Sequence, residues 1–223
     1  MKPFDIVLDL MEQKFREEPF HTLQTLYGES VGQQVPGGTC SDKTLSFIHE
    51  ARKKGFDAKF HTAFIDGKEI HRLARLNLDG KVFFADVGNG WPSLYPYPAD
   101  KQITYSCFGV TFRTEINDSV LSVYYRIEDK EQLQMEIMIT PRPEEEILTE
   151  IKERFSSNIA YPFTNRMRFS AIVDDEFRFL RENVLFTYRE GNVTRISVPK
   201  DQWQNALLDY FGWDVKLTLP EFS

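Results

Sequence analysis

One cysteine lies in a sequence context typical of a nucleophile. Cys40 follows the glycine pair Gly37-Gly38 and directly precedes a segment, Ser41 to Lys54, that is predicted to be helical. Unpaired N–H groups and the positive dipole end at a helix N-terminus favour a thiolate. The alternative is a buried, inert cysteine that packs as a small apolar residue. That alternative is the better interpretation of Cys107, which lies in a strand-like run.

A histidine and an aspartate are brought together by a predicted hairpin. If Asp79-Gly80 form a two-residue turn, Leu78 pairs with Lys81 and the register of both strands follows. His71 and Asp86 are then diagonal neighbours on one face, with Cβ atoms roughly 7–8 Å apart, close enough for a hydrogen bond. Because a one-residue slip would put them on opposite faces, the pairing depends on this turn. A cysteine nucleophile such as Cys40, joined to this pair, would complete a Cys–His–Asp triad suited to acyl transfer through a thioester, but the hairpin geometry does not itself place Cys40 beside His71.

Other sites with these residue types are less well supported. The remaining histidines, His21, His49 and His61, have no carboxylate placed beside them by a comparable argument. Zinc sites usually show ligands at short spacings such as C-x2-C or H-x3-H, which this sequence lacks, so we predict no metal site. No G-x4-G-K-[ST] phosphate-binding loop is present.

Composition limits the class of partner. The chain has 223 residues, with 34 acidic and 27 basic side chains and a formal charge of −7. A nucleic-acid binder normally carries a basic patch, and a protein that binds anionic membranes a polybasic run, so we expect neither partner. The sequence has no stretch that predicts a signal peptide or a membrane span, and its two cysteines do not indicate a disulfide framework. We therefore expect a soluble, cytoplasmic protein, and its oligomeric state is not predicted.

The pattern of elements is α+β. Helical spacing covers residues 4–28 with an interruption at Glu17-Glu18-Pro19, and glycines and a proline predict a loop over 29–39 before the helix that begins after Cys40. From residue 56 the period changes to two, which predicts strands up to residue 140, and further strands and a last helix follow. We divide the chain into a helical region (1–55) that carries the nucleophile, an antiparallel β-barrel (56–140) that carries the histidine and aspartate, and a C-terminal α/β segment (141–223).

Several motifs resemble those of the arylamine N-acetyltransferase family. Residues 36–42, PGGTCSD, resemble the family's R-G-G-x-C-x-E, and His71-Arg72-Leu73 resembles its H-R-L. Residues 86–90, DVGNG, resemble D-V-G-F-G, at the family's His-to-Asp interval of 15. Pro162-Phe163-Thr164 with Arg166 is similar to P-F-T-x-R, and residues 17–28 are similar to the segment around P-F-E-N-L.

The resemblance implies a fold and a reaction. The fold is that of papain-type cysteine proteinases and transglutaminases, with a helical region, an antiparallel β-barrel and a C-terminal α/β lid. The reaction is ping-pong acetyl transfer, in which Cys40 takes the acetyl group from acetyl-CoA and passes it to an arylamine, a hydrazine or a similar amine. Gly88 and Gly90, in the D-V-G-x-G segment, are the expected cofactor-binding residues.

This sequence departs from the family pattern at the motifs themselves. Pro36 replaces the arginine before the glycine pair, Asp42 replaces a glutamate, and Asn89 replaces an aromatic residue that the family uses in its acceptor pocket. The region before Cys40 is also shorter than is usual. We therefore expect a more polar acceptor pocket than a plain arylamine favours. Two alternatives stay open, a cysteine-triad amide hydrolase or transglutaminase-like enzyme and a diverged, non-catalytic binding protein of this fold.

Overall fold

The computed structural model describes residues 2–153, 161, 165–190 and 192–218. The helices in these residues are Pro3–Glu17 (α1), Leu23–Tyr27 (α2), Glu29–Gly32 (α3), Cys40–Lys53 (α4), Glu144–Glu153 (α5) and Trp203–Phe211 (α6). The strands are Phe20–His21 (β1), Asp57–Ile65 (β2), Lys68–Leu78 (β3), Lys81–Ala85 (β4), Tyr97–Pro98 (β5), Thr104–Cys107 (β6), Val110–Asn117 (β7), Val120–Ile127 (β8), Lys130–Met138 (β9), Arg168–Val173 (β10), Glu176–Arg181 (β11), Val184–Arg189 (β12) and Asn192–Ser197 (β13). None of the helices in these ranges has the length and apolar character needed to cross a bilayer.

The N-terminal region is less helical than the spacing predicted. The first helix ends at Glu17, and Phe20–His21 form β1, which pairs with β10 in the C-terminal sheet. Pro19 disfavours helix for the residue before it, and the pairing with β10 supplies hydrogen bonds that a helix would otherwise provide. The segment predicted as a loop over 29–39 contains the short helix α3.

Eight strands form a curled antiparallel half-barrel. Their order is β5-β4-β3-β2-β9-β8-β7-β6. The last two strands in this order, β6 and β7, are consecutive in the chain. They are separated by a turn at Phe108-Gly109, where φ is +50° and +75°. Helices α4 and α5 pack on this sheet.

The hairpin register predicted for β3 and β4 is confirmed. Leu78 pairs with Lys81 and Ala74 with Ala85, as a two-residue turn requires. The turn residues Asp79 and Gly80 both have positive φ, +52° and +79°, which is the geometry of a type I′ turn. The pairing therefore directs the side chains just beyond its last pair, His71 and Asp86, to one face of the sheet.

A second sheet, ordered β1-β10-β11-β12-β13, lies in the C-terminal part. Its outer face packs on α2 and α6, and Trp203 is buried there, 7% exposed. Phe177 and Phe179, on its inner face, pack against Phe15 of α1 and side chains of the half-barrel. Since β1 belongs to this sheet, contacts cross between the regions 1–55 and 141–223, and the three-part division at residues 55 and 140 stays a proposal.

Candidate active site

A tight glycine turn positions Cys40 at the first residue of α4. Gly37 and Gly38 have φ angles of +92° and +129°, in the region that favours glycine. A Cβ on Gly37 would collide with the Pro19 carbonyl oxygen. The Gly38 carbonyl accepts a hydrogen bond from the His21 amide at 2.9 Å, so β1 supports this turn.

The N-terminus of α4 is capped next to the thiol. The Thr39 backbone N–H donates to the Asp42 carboxylate at 3.0 Å, and the Thr39 hydroxyl donates to the same oxygen at 2.8 Å. Asp42, the glutamate replacement noted in the sequence, therefore serves as the third helical residue of a capping box. The predicted placement of Cys40 at the positive end of a helix dipole is confirmed.

His71 and Asp86 form a buried hydrogen-bonded pair. The His71 Nε2–H donates to Asp86 Oδ1 at 2.7 Å, and the two side chains are 7% and 0% exposed. His71 lies in β3, and Asp86 directly follows the last residue of β4. Their contact agrees with the register argument, because Ala74–Ala85 is the last ladder pair before both side chains.

The thiol and the imidazole change each other's protonation. Burial by itself would raise the pKa of Cys40, but the hydrogen bond and charge of His71, with the Arg72 amide, lower it below the usual value for a thiol. Burial by itself would lower the pKa of His71, but the charge and hydrogen bond of Asp86, followed by those of Cys40, raise it above the usual value. The arrangement favours a thiolate–imidazolium pair near neutral pH.

Asn89 contacts the aspartate directly. Its Nδ2 donates to Asp86 Oδ2 at 2.7 Å, and its Oδ1 accepts from the Trp91 amide at 3.1 Å. Asn89 lines the cavity, as an acceptor-pocket residue should, but it is 8% exposed and its amide is engaged at both ends. The expectation that Asn89 makes the pocket wall polar is therefore corrected, since its polar atoms serve Asp86 and the following turn.

Gly88 and Gly90, the expected cofactor-binding residues, both line the cavity. A Cβ on Gly88 would lie 2.7 Å from the Cys40 Cα, so the chain after Asp86 passes directly against the nucleophile. A Cβ on Gly90 would meet ordinary contacts, the nearest 3.4 Å away on Phe179. The Gly90 carbonyl accepts a hydrogen bond from the Ser170 hydroxyl at 2.9 Å. That Gly88 and Gly90 contact a cofactor stays a prediction.

A cavity of about 290 Å³ opens between the two sheets. Cys40 and His71 line one side, and Phe179, Arg168 and Arg181 of the C-terminal sheet line the other. Gln134 of β9 also lines it, and neither atom of its buried side-chain amide has a hydrogen-bond partner among the described residues. The sequence showed no signal for these last residues as site residues, because only the folding of one sheet over the other brings them to the triad.

The sequence belongs to a known family. The family model described as N-acetyltransferase matches residues 14–219. The chain belongs to the arylamine N-acetyltransferase family. It is accordingly an acetyltransferase, with acetyl-CoA as co-substrate and an amine as acceptor in the family. No curated protein sequence matches the chain significantly.

Solved arylamine N-acetyltransferases share the fold. A single-site variant of the Mycobacterium smegmatis enzyme is 18% identical, with a TM-score of 0.79 over 96% of this chain and 88% of that one. The Mycobacterium marinum enzyme in complex with CoA gives the same values. A Bacillus cereus enzyme, described as having a unique Cys-His-Glu catalytic triad, is 18% identical with a TM-score of 0.70, over 94% of this chain and 90% of that one. At this identity the similarity establishes the fold, cysteine-proteinase-like α+β, as predicted.

Other family-like features have different outcomes. Pro162, Phe163 and Thr164 of the P-F-T-x-R resemblance lie outside the described residues. Arg166 is exposed and pairs with Glu182 at 3.4 Å. No group of three or more His, Cys, Asp or Glu side chains in the described ranges is arranged to hold a metal ion.

Trp91 both anchors its loop and lines the cavity. Its ring stacks on Tyr125 with centroids 5.3 Å apart and meets the edge of Phe179 at 5.3 Å. Tyr97 is buried and shares a 2.7 Å hydrogen bond with Ser93, so it is a loop anchor only. The aromatic residues after Asp86 therefore differ in role, since Trp91 lines the cavity and Tyr97 does not.

The remaining histidines and the second cysteine are in environments unsuited to this chemistry. Burial lowers the pKa of His21 and of His61 to about 4, so both rings are neutral near pH 7. His49 is exposed on α4. Burial raises the pKa of Cys107 to about 12, and its thiol donates to the Pro92 carbonyl at 2.9 Å. These residues do not compete with Cys40 and His71 for the catalytic roles.

Proposed function

We propose that this enzyme transfers an acetyl group from acetyl-CoA to an arylamine or similar amine by a ping-pong reaction on Cys40. Cys40 is the nucleophile, His71 moves the proton, and Asp86 orients and stabilises the imidazolium. The observation that carries the proposal is the buried Cys40–His71–Asp86 chain, with the pKa of Cys40 lowered and that of His71 raised at the floor of the cavity.

In the first half-reaction the Cys40 thiolate attacks the acetyl carbonyl carbon. A new C–S bond forms on Cys40 and the bond between that carbon and the coenzyme A sulfur breaks. The leaving thiolate takes the proton from His71, which becomes neutral. The raised pKa of His71 keeps this proton available before the attack.

In the second half-reaction the acceptor amine attacks the Cys40 thioester. Neutral His71 accepts the proton that the amine nitrogen loses, the C–S bond breaks, and Cys40 returns as a thiolate. Because the His71 ring is buried and stays hydrogen-bonded to Asp86, the imidazolium re-forms with Asp86 as its partner. The pair is then ready for another acetyl group.

The residues around the thiol fit a small acyl group carried on a thioester. Gly88 passes against Cys40 without a side chain, which leaves one side of the sulfur open to the cavity. We keep Gly88 and Gly90 as residues that contact the donor, since both line the cavity and small residues let a substrate approach the backbone closely. Trp91 and Phe179 supply an aromatic wall for the acceptor ring.

The test is the mass of the protein after incubation with acetyl-CoA. The wild-type chain should gain the mass of one acetyl group, and the adduct should disappear when an arylamine such as 4-toluidine is added. Cys40→Ser should gain none, whereas the matched control Cys107→Ser should behave as wild type, because its sulfur lies outside the cavity with a raised pKa.

Three outcomes would count against the proposal. An adduct that persists in Cys40→Ser places the nucleophile elsewhere. An adduct lost equally fast without amine favours the amide-hydrolase alternative, in which water takes the acyl group. No adduct at all, with slow alkylation of Cys40 that speeds up only at high pH, supports a non-catalytic binding protein.

A further inference from the structure

Two arginines lie side by side on the inner face of the C-terminal sheet. Arg168 of β10 and Arg181 of β11 are a cross-strand pair, in register with Ser170–Phe179. Side chains two residues apart on a strand share a face. Ser170 reaches Gly90, and Phe179 and both arginines line the cavity, so the guanidinium groups face the same space as Cys40 and His71.

Neither guanidinium group forms an ion pair with a carboxylate of the described residues. No ion pair or side-chain hydrogen bond of Arg168 or Arg181 is present among the described residues, and the buried Nε of Arg168 has no partner there. The acid nearest in sequence, Glu182, instead pairs with Arg166 on the exposed side. Asp66, in the β2–β3 turn, also lines the cavity but forms no ion pair with either arginine.

The arrangement has an electrostatic cost that the charges of Glu182 and Tyr125 offset only in part. Burial and the charges of Arg181 and Arg166 lower the pKa of Arg168 from its usual value. Two like charges directly opposite one another across a strand pair destabilise a sheet. Several other arginines in this protein are paired with carboxylates, as Arg113 is with Glu131 at 2.8 Å and Arg142 with Glu150 at 2.6 Å. An unpaired pair inside the cavity is therefore a feature of recognition.

Polar groups next to the arginines extend this surface. Tyr125 lies near both guanidinium groups, whose charges oppose the larger effect of burial in raising its pKa. The Tyr125 hydroxyl donates to Gln132 Oε1 at 2.9 Å. The unpartnered amide of Gln134 lines the same cavity. Two positive charges with adjacent neutral hydrogen-bonding groups are what a small anion with several oxygen atoms requires.

We propose that Arg168 and Arg181 form a carboxylate-binding subsite for the molecule that reacts at Cys40. The inference rests on the proposed function, because the acid group would be carried either by the amine acceptor or by the acyl chain of the donor. Planar guanidinium groups bind carboxylates through two parallel hydrogen bonds. The subsite makes an aromatic amino acid or a dicarboxylic acyl group a better substrate than its uncharged counterpart.

The experiment compares matched charged and neutral substrates in the full-length protein. For the acceptor, kcat/KM is measured with 4-aminobenzoate and with the neutral 4-aminobenzamide, at saturating acetyl-CoA. For the donor, the rates at which succinyl-CoA and acetyl-CoA acylate Cys40 are measured by intact mass. The variants are Arg168→Gln and Arg181→Gln. Arg195→Gln is the matched control, because Arg195 is exposed on β13 of the same sheet and lies outside the cavity.

The expected result is a loss of preference for charge. Loss of hydrogen bonds to a charged group weakens binding substantially. Either variant should therefore lower the ratio of the charged to the neutral substrate, in kcat/KM or in acylation rate, roughly 10- to 100-fold in one substrate pair. A change confined to the aminobenzoate pair assigns the carboxylate to the acceptor, and a change confined to the succinyl pair assigns it to the acyl group. Arg195→Gln should keep both ratios at the wild-type value.

Two results would overturn the subsite. Both ratios could stay at the wild-type value in folded Arg181→Gln. Alternatively, KM for acetyl-CoA could rise equally with every acceptor, which would assign the arginines to the phosphates of the donor. Arg181 is the more exposed of the pair, so its variant keeps the test valid if Arg168→Gln does not fold.

A thermal-shift measurement distinguishes failure of the subsite from failure of the proposed function. With the subsite intact, 4-aminobenzoate stabilises the wild-type protein more than 4-aminobenzamide does, and Arg181→Gln removes the difference even if no thioester forms.

Discussion

The two sides of the cavity are built in different ways. The catalytic wall is made of Cys40, His71 and Asn89, with Asp86 buried behind them, and comes from the part of the chain between residues 40 and 90. The C-terminal wall is made of Arg168, Phe179 and Arg181, with Ser170 buried next to them on the same face, and comes from β10 and β11. Ser170 lies 80 residues beyond Gly90, its hydrogen-bond partner on the other wall.

The walls differ most in how their polar groups are satisfied. In the catalytic wall both Asp86 oxygens accept hydrogen bonds, one from His71 and one from Asn89, each at 2.7 Å. In the C-terminal wall two guanidinium groups have no partner among the described residues. A saturated network holds a fixed geometry, whereas unsatisfied groups are available to a ligand. The comparison suggests that one wall performs the chemistry and the other selects the substrate.

The largest expected effect comes from removing the base in the catalytic wall. His71→Ala should lower the rate of acetyl transfer by a factor on the order of 10⁴ or more, as loss of one triad member does elsewhere. Iodoacetamide should alkylate wild-type Cys40 at a rate that is flat around neutral pH and falls as the pH drops through its lowered pKa. In His71→Ala that fall should move to higher pH, because the thiolate has lost its cation. His49→Ala, on the exposed side of α4, is the control. A wild-type pH profile in His71→Ala would contradict the assignment.

A smaller but still large effect is expected at Gly88. A Cβ there would lie 2.7 Å from the Cys40 Cα, so Gly88→Ala must displace the nucleophile. Because a displacement of about 1 Å can cost roughly 100-fold in rate, we expect a loss of that order in kcat with the protein still folded by circular dichroism. Gly90→Ala is the matched comparison, since its Cβ would meet Phe179 at 3.4 Å, and it should keep kcat near the wild-type value, with any effect confined to KM for the donor. Equal losses in the two variants would show that the close approach at Gly88 is not the cause.

Asn89 tests whether the saturated network sets the geometry of the triad. Asn89→Ala removes the hydrogen bond to Asp86 Oδ2, which should lower kcat by about 10-fold, consistent with one bond to a charged group. KM should change little, because the Asn89 amide does not face the substrate freely. The pH dependence of kcat/KM should also shift, which a purely structural effect would not produce. Asn77→Ala, exposed on β3, is the control. A rise in KM alone would return Asn89 to the acceptor pocket.

The smallest effect is expected where the two walls are joined. Ser170→Ala removes the hydrogen bond from the Ser170 hydroxyl to the Gly90 carbonyl, which should cost about 1 kcal/mol of unfolding free energy. If the walls have separate roles, KM for the acceptor should rise a few-fold while the alkylation rate of Cys40 stays at the wild-type value. Chemical denaturation and steady-state kinetics measure the two effects. Ser197→Ala, exposed on β13, serves as the control. A slower alkylation of Cys40 in Ser170→Ala would show that the walls are not independent.

Much of the catalytic wall was predictable because its causes are local. Asp79-Gly80 allows the positive φ angles of a type I′ turn, and this turn alone sets the register that brings His71 to Asp86. Likewise, Thr39 and Asp42 form a capping box within one helical turn, so the position of Cys40 follows from adjacent residues. Strand β1 was not predicted, since it depends on pairing with residues about 150 positions later.

The sequence by itself determined the α+β class, the glycine turn before Cys40, the hairpin register and the residue types of the triad, because short-range turn, capping and pairing rules act on neighbouring residues. Only the tertiary structure decided that Asn89 donates a hydrogen bond to Asp86 and that Arg168 and Arg181 line the same cavity as the Cys40 thiol. Those relations depend on which face of the second sheet covers the half-barrel, and that face is chosen by burial of Phe177 and Phe179 against Phe15 rather than by any motif.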